Sequence, residues 1–452
     1  MSLHHPNVLV VLTDQQRWDT TGVHGNPLEL TPNFDRMARQ GTHLANCFTC
    51  QPVCAPARAS LQTGLYATNA GVWRNGMPLP PDKTTLAACF AQAGYATGYI
   101  GKWHLGEASS HGPVAPEQRG GYHYWLASNL LEFTSEAYDT VLYDNDNRPV
   151  RLPGYRVDAL TDAAIRYIDA HKERPFYLFL SYLEPHFQNR TDDYPAPDGY
   201  EERYRGRWMP PDLAALGGSA HQHLAGYYGM VKRLDEALGR LLDALKSLRL
   251  SDNTIVLFTS DHGNHFKTRN SEYKRSCHES SIRIPAALTG PGFVGGGQVH
   301  HLVSLIDLPP TLLAAAGLPV PPNMEGRSIL PLLSHQEVNW PDDVFIQISE
   351  SQVGRAIRTG RWKYSVVAKD KDGNRHSASD HYTEEFLYDL KADPYELTNL
   401  IGFSSHREVA NVLRQRLIRR MRQAGEAEPV IEPAPNTAHS AQRKVLPDEL
   451  QQ

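Results

Sequence analysis

Cysteine is scarce in this sequence. Five residues in 452, at positions 47, 50, 54, 89 and 277, are too few and too uneven in number for a disulfide framework. Three of them cluster, but only Cys277 with His278 could supply a second ligand pair, so a structural zinc site is not expected. Positive charge is not in excess either. The net charge of −5 leaves no basic footprint for nucleic acid. Long apolar runs are missing too: residues 8–12 are far too short to span a bilayer, and no later run is longer than a buried strand needs. Residues 1–6 lead straight into Asn7–Thr13 with no basic segment, long apolar core or cleavage site. The expectation is a cytoplasmic protein with neither a nucleic-acid nor a membrane partner.

What is present is a repeated strand–helix texture. Residues 7–13, 96–100, 176–182 and 254–259 are short, nearly all-apolar runs, as in parallel strands buried on both faces. Amphipathic helix patterns follow at 158–171, 223–248 and 309–316, the last opened by prolines and stopped by Gly317. This alternation predicts an α/β fold with a mostly parallel central sheet flanked by helices. Past Pro331 the texture changes. Strands at 344–349, 362–367 and 385–389, then a helix at 406–423, predict a smaller C-terminal α+β subdomain. The expected division is 1–335 for the catalytic domain, 336–425 for the subdomain and 426–452 for a tail. That tail is rich in Pro, Glu, Ala and Gln. It is expected to be disordered, or to lie as an arm on a neighbouring subunit and so make a homo-oligomer.

The four apolar runs share one feature. Each delivers polar groups at its carboxyl end, where open parallel sheets gather ligands. The first ends in Asp14-Gln15, the second in Gly101-Lys102-Trp103-His104, the third is followed by Glu184-Pro185-His186, and the fourth ends in Ser260-Asp261-His262-Gly263. Any one of these has a plain reading as a cap or a solvated charge. Four together point to a site. Asp14, Gln15, Asp261 and His262 offer oxygen donors, which suit Ca²⁺, Mg²⁺ or Mn²⁺, and one imidazole, which tilts the set slightly toward Mn²⁺ or another transition metal; with the resemblance described next, the metal expected is Ca²⁺.

Cys54-Ala55-Pro56-Ala57-Arg58, continuing through Ala59-Ser60-Leu61-Gln62-Thr63-Gly64, resembles the sulfatase signature Cys-x-Pro-x-Arg. Gly101-Lys102-Trp103-His104-Leu105-Gly106 resembles that family's second signature. Residues 7–14 resemble its opening strand, and 260–263 its metal-binding strand end. Lys274 with Glu279 and Arg283-Ile284-Pro285 resembles its lysine-bearing segment. Residues 355–364 and 385–400 are similar to its C-terminal part. The resemblance covers nearly the whole chain, in order, and implies an alkaline phosphatase-like fold.

It also implies a chemistry. Cys54 would be oxidised by a maturation enzyme to formylglycine (3-oxoalanine). Its hydrate would bind the metal, attack sulfur, and release sulfate by collapse of a hemiacetal. Arg58 would steady residue 54, Lys102 would neutralise the sulfate, and His104 would be the base for the collapse. Lys102 and His104 lie two apart, so an extended backbone would point both the same way. His186 and Lys274 would sit on the leaving-group side, one of them protonating the departing oxygen. Cys50 reads as a small apolar neighbour.

The metal-site pairs depart from the commonest pattern of two opening aspartates and a closing Asp-Asn. Asp14-Gln15 with Asp261-His262 is similar to the branch of choline sulfatases and phosphonate or phosphate ester hydrolases. Two functions follow: removal of sulfate from a sulfated carbohydrate, and, as the alternative, hydrolysis of phosphonate monoesters, phosphodiesters, choline sulfate or aryl sulfates at the same site. A catalytically silent binding protein and a zinc phosphatase with unmodified Cys54 are the contrasting readings. Basic and aromatic loop residues Trp73, Arg74, His111, His123, Arg190, His265 and Arg269 are candidates for contacting an acidic sugar.

Overall fold

The computed structural model describes residues 5–334, 336, 338–436 and 448. Among them a ten-stranded sheet forms from β1 (Asn7–Thr13), β2 (Thr42–Leu44), β3 (Ala96–Lys102), β4 (Tyr124–Ser128), β5 (Thr140–Tyr143), β6 (Pro149–Leu152), β7 (Phe176–Ser181), β8 (Thr254–Ser260), β9 (Ala286–Thr289) and β10 (Gly297–Val299). Their spatial order is β10-β2-β9-β8-β1-β7-β3-β4-β5-β6. The middle strands β8, β1, β7, β3 and β4 all run parallel. The four apolar runs read from the sequence are thus neighbours at the centre of the sheet. The fifth central strand, β4, escaped that reading because Tyr124 and Ser128 bracket only three apolar residues.

The central strands are apolar throughout because both faces are covered. Val8, Val10 and Leu12 of β1 enter one core, with the helices Cys54–Thr63, Leu86–Gln92 and Leu308–Ala315. Leu9 and Val11 enter the other, with the helices Arg156–Ala170 and Ala220–Ser247. Full burial of one such side chain contributes about 1.5–3 kcal/mol, so each strand is held from both sides. The register is level at the carboxyl end: Thr13 lies opposite Ser260, and Leu12 and Gly101 both lie opposite Ser181. Residues that follow these positions must therefore converge. Among the described residues no helix is long and apolar enough to cross a membrane.

The C-terminal subdomain is a second sheet, β11 (Asp343–Ile348), β12 (Val353–Thr359), β13 (Trp362–Ala368), β14 (His381–Asp389) and β15 (Val430–Glu432), in that order. The helix Arg407–Gln423 covers it with a stripe of Val409, Leu413, Leu417 and Met421, one residue every four. Strand β12 was not foreseen. Its Arg355 and Arg358 are buried, and each is paired with a carboxylate far away in sequence, Glu426 and Glu279.

The expectation for the tail needs correction. Glu426 pairs with Arg355 and accepts from Gln347, and β15 pairs in parallel with β14. The first part of the expected tail is therefore ordered against this chain's own second sheet, through Glu426 and through residues 430–432. Residues 437–447 and 449–452 of the expected tail, and the expected boundary residue 335, lie outside the described residues. Glu426→Ala leaves the fully buried Arg355 guanidinium without its counterion, at a cost of about 3–5 kcal/mol. Denaturant unfolding of the variant is expected to show that loss, and a midpoint like the parent's would mean the pair contributes nothing.

Candidate active site

Asp14, Cys54, Asp261 and His262 are fully buried, and one ligand atom from each lies within 4.8 Å of the others. Asp14 and Asp261 leave adjacent strands at the same level. Cys54 opens the helix Cys54–Thr63, where backbone N–H groups favour an anion. Its Sγ lies 3.2 Å from His262 Nε2, 3.6 Å from Asp14 Oδ1 and 2.8 Å from Lys274 Nζ. Burial alone would raise the thiol. Lys102, Lys274 and His262 outweigh it and hold Cys54 well below the ordinary thiol range.

Arg58, one turn on from Cys54, is the clamp. Its Nη2 donates to Asp14 at 3.0 Å and its Nε to Asp261 at 3.2 Å. Nη1 donates to the Lys102 carbonyl at 2.9 Å and to Ser181 Oγ at 2.7 Å. It thus bridges the two carboxylates that flank residue 54. Lys102 Nζ lies 2.8 Å from Asp14 and 3.0 Å from Glu132. The two aspartates are pushed apart in acidity. Asp14 is buried, but Lys102 and Arg58 hold it far below the usual carboxylate range. Asp261 is driven upward by burial and by the charge of Asp14.

The donor set fits a divalent cation. His262 Nδ1 lies 2.9 Å from the Gly263 carbonyl, which can only accept, so the proton sits on Nδ1 and the Nε2 lone pair faces the carboxylates. Asp261 Oδ1 accepts from the amides of Gln15 and His262, fixing its orientation. Gln15 holds its own side chain between Tyr194 and Lys274, with Oε1 3.2 Å from Lys274 Nζ. Cys50 and Cys47 stay out of the cluster, and burial pushes the Cys50 thiol up to about 12.

Two turns carry backbone strain. Gln15 and His104 are non-glycine residues with positive φ, 69° and 62°. Strand β3 ends at Lys102, so the link to His104 is not extended as expected; the left-handed His104 lines the cavity above Cys54, while Lys102 lies buried against Asp14 and Glu132. Gly101, also at positive φ, has no room for a side chain against the Ser181 carbonyl.

The cavity above the cluster measures about 470 Å³ and is walled by Cys54, His104, His186 and Lys274, with Asn75, Glu132, Phe133, Phe187, Asn189, Glu272 and Arg275 around them. His186 Nδ1 lies 2.7 Å from the Phe187 carbonyl. Burial and the charges of Lys274 and Lys102 depress its protonation.

The candidate substrate contacts fare unevenly. His111 stacks on Phe133 at the rim, centroids 5.1 Å apart. Arg74 lies over the Trp73 ring at 5.5 Å, and the next residues, Asn75 and Gly76, reach the cavity instead. Arg190 turns to Glu136 on the surface. Three expectations are corrected. His123 precedes β4 and bonds Thr97 near the start of β3, at the end of the sheet away from the site. His265 is fully buried, and its Nε2 bonds the Lys274 carbonyl at 2.9 Å. Arg269 donates to the carbonyls of Tyr395 and Glu396 and so ties the two sheets together.

Glu132 was missed. It follows β4, the strand the sequence reading passed over, so its place at a fifth strand end went unseen. Asn75 follows the candidates Trp73 and Arg74 and lines the cavity. Its Oδ1 accepts from the Ala55 amide at 3.1 Å, capping the helix that begins at Cys54.

Residues 6–318 match the Sulfatase family, and residues 271–423 match "N-sulphoglucosamine sulphohydrolase, C-terminal". An ulvan-active sulfatase of Formosa agariphila is 30% identical over 438 residues, 93% of this chain and 82% of that protein. An N-acetylglucosamine-6-O-sulfatase of Bacteroides thetaiotaomicron is 25% identical over 94% of this chain and 88% of its own length. The crystal structure of a sulfatase from Bacteroides fragilis superposes with a TM-score of 0.79 at 25% identity, covering 93% of this chain and 96% of that one. A strand-end cluster built around Cys54, on this sheet and with these matches along its length, places the chain in the sulfatase family.

Proposed function

We propose that this sulfatase removes sulfate from a sulfated carbohydrate, with residue 54 as its nucleophile after oxidation of Cys54 to formylglycine by a separate maturation enzyme. The observation that carries the reading is the setting of Cys54, which touches Lys274 and His262 beside two buried carboxylates. The sugar named for the N-acetylglucosamine-6-O-sulfatase relative supports a carbohydrate as the alcohol part. Asp14, Gln15, Asp261 and His262 would hold one divalent cation, Ca²⁺ first and Mn²⁺ or Mg²⁺ next, which supplies charge neutralisation and acidifies a hydroxyl it binds.

The chain's own groups divide the remaining work. Arg58 holds the carboxylates flanking residue 54, and Lys102 offers its charge to the sulfonyl oxygens. His104 has a buried Nδ1 with no partner among the described residues and lies against Cys54, as a base for residue 54 requires. On the leaving-group side, His186 is held toward its neutral form and its Nδ1 proton points to a backbone carbonyl. Lys274 is therefore the proton donor to the departing oxygen.

Lys274→Ala is expected to lower kcat/KM about 10²–10⁴-fold on a sugar sulfate, whose alkoxide needs a proton. The loss on 4-nitrophenyl sulfate should be far smaller, because that leaving group needs none. Equal losses on both would assign the proton to another group. Asp14→Asn and Asp261→Asn should each strip the bound cation, read by elemental analysis and by loss of the metal-dependent part of thermal stability; unchanged metal content would remove both from the ligand set. The function itself is tested by mass spectrometry of the residue-54 peptide and a substrate screen. The peptide should carry an aldehyde in place of the thiol, and Cys54→Ala should be inactive. Sulfated mono- and disaccharides should exceed aryl sulfate, choline sulfate and a phosphonate monoester in kcat/KM. A phosphonate ranked first would replace the reading with the alternative hydrolase.

A further inference from the structure

Among the described residues two buried oxygens of the cavity lining have no hydrogen-bond partner, Asn189 Oδ1 and Glu132 Oε2, and only the second belongs to a charged group. Glu132 is 4% exposed; its Oε1 lies 3.0 Å from Lys102 Nζ, while its buried Oε2 makes no hydrogen bond. Burial would favour the neutral acid, yet the Lys102 ammonium 3.0 Å away outweighs it and brings Glu132 down to about 2, so the carboxylate is ionised and can only accept. A buried acceptor left open costs free energy unless something fills it. Beside it Phe133 is 47% exposed, unusual for a large apolar side chain lining a polar cavity. Its ring is backed by His111, and the backbone bonds from Asn129 to Gly112 and from Leu130 to His111 fix that loop.

We propose that Glu132 and Phe133, on the short helix Leu131–Thr134, form a saccharide subsite: the Glu132 carboxylate accepts a hydroxyl of the sugar that bears the sulfate ester, and the Phe133 ring lies against its C–H face. Only Lys102 separates Glu132 from Asp14, so the accepted hydroxyl belongs to the ring carrying the ester, next to the ester position. A sugar with a second sulfate or a carboxylate there would meet a fixed negative charge. The site therefore selects a ring with a free neighbouring hydroxyl. This inference rests on the carbohydrate reading of the function and narrows it.

The test uses the sulfated monosaccharide ranked first in the screen, in three forms. One is unaltered, one has each hydroxyl next to the ester replaced in turn by hydrogen, and one carries a second sulfate there. The wild-type enzyme should lose at least about tenfold in kcat/KM on one of the deoxy forms and more on the disulfate. In Glu132→Gln, Lys102 keeps the side-chain carbonyl and the amide NH₂ takes the place of Oε2. That variant should favour the parent over the deoxy form by less than about threefold and should regain activity on the disulfate. Phe133→Ala should raise KM about tenfold for the sugar with kcat little changed. A wild-type enzyme indifferent to every deoxy form overturns the subsite. So does a Glu132→Gln enzyme that loses activity on the sugar and on 4-nitrophenyl sulfate alike while keeping the parent's preference, because Glu132 would then act only through Lys102. Turnover of 4-nitrophenyl sulfate with no sulfated sugar accepted overturns the carbohydrate reading, and the subsite with it.

Discussion

Two carboxylates are buried side by side at the end of β1 and β8, and the rest of the site answers to that fact. At the separation of their ligand atoms, within 4.8 Å, two like charges repel by about 3–4 kcal/mol at an effective dielectric of about 20. Arg58 bridges Asp14 and Asp261, and Lys102 stands on the far side of Asp14. Around residue 54 the carboxylates of Asp14, Asp261 and Glu132 face the cations of Arg58, Lys102 and Lys274. These fixed charges balance. A divalent cation added to them leaves the cavity positive, the state that attracts and holds an anionic ester. Sulfate monoesters carry one negative charge, as do phosphonate monoesters and phosphodiesters. Net charge therefore does not separate the leading function from its alternative. Discrimination has to come from groups that touch the alcohol part, which is why the cavity wall beyond Lys102 matters.

The positions of these groups are set by the sheet rather than by the loops. Level register across β8, β1, β7 and β3 brings the strand ends together, and each chain then turns sharply. Gln15 and His104 take left-handed conformations that cost about 1–3 kcal/mol each, affordable only because the strands beneath are buried on both faces. The strain aims two side chains that an ordinary turn would send outward. It also explains why a loop at this point can be rigid: Asp261 is bonded to the Gln15 amide, so the two turns brace one another.

Much of this was legible in the sequence, for a physical reason. A strand covered on both sides must be apolar at every position, so β1, β3, β7 and β8 stand out, and the polar residues that interrupt them at one end mark the site. Where burial is polar the signal fails. Arg355 and Arg358 sit inside β12 because Glu426 and Glu279 reach them from distant segments. Glu132 looks like an ordinary helix residue until β4 is seen to run parallel beside β3. Conversely, His265 and Arg269 have the composition of substrate contacts, but their hydrogen bonds go to backbone carbonyls. Residue type announces what a group can bond, not which partner the fold supplies.

The C-terminal sheet is part of the active site despite lying outside the cavity's main walls. Asn75 caps the helix that begins at Cys54, and the Asn75 amide donates in turn to Glu350, at 2.6 Å. Glu350 also holds Arg275 at the cavity edge, at 2.5 Å. Gln51, three residues before Cys54, bonds the Trp73 carbonyl and Ser349 Oγ, each at 2.6 Å. Ser349 and Glu350 follow β11 directly. The turn after the first strand of the second sheet thus fixes both the segment leading into residue 54 and the loop that caps its helix. A division of the chain near residue 335 describes two sheets, but the position of Cys54 needs both of them.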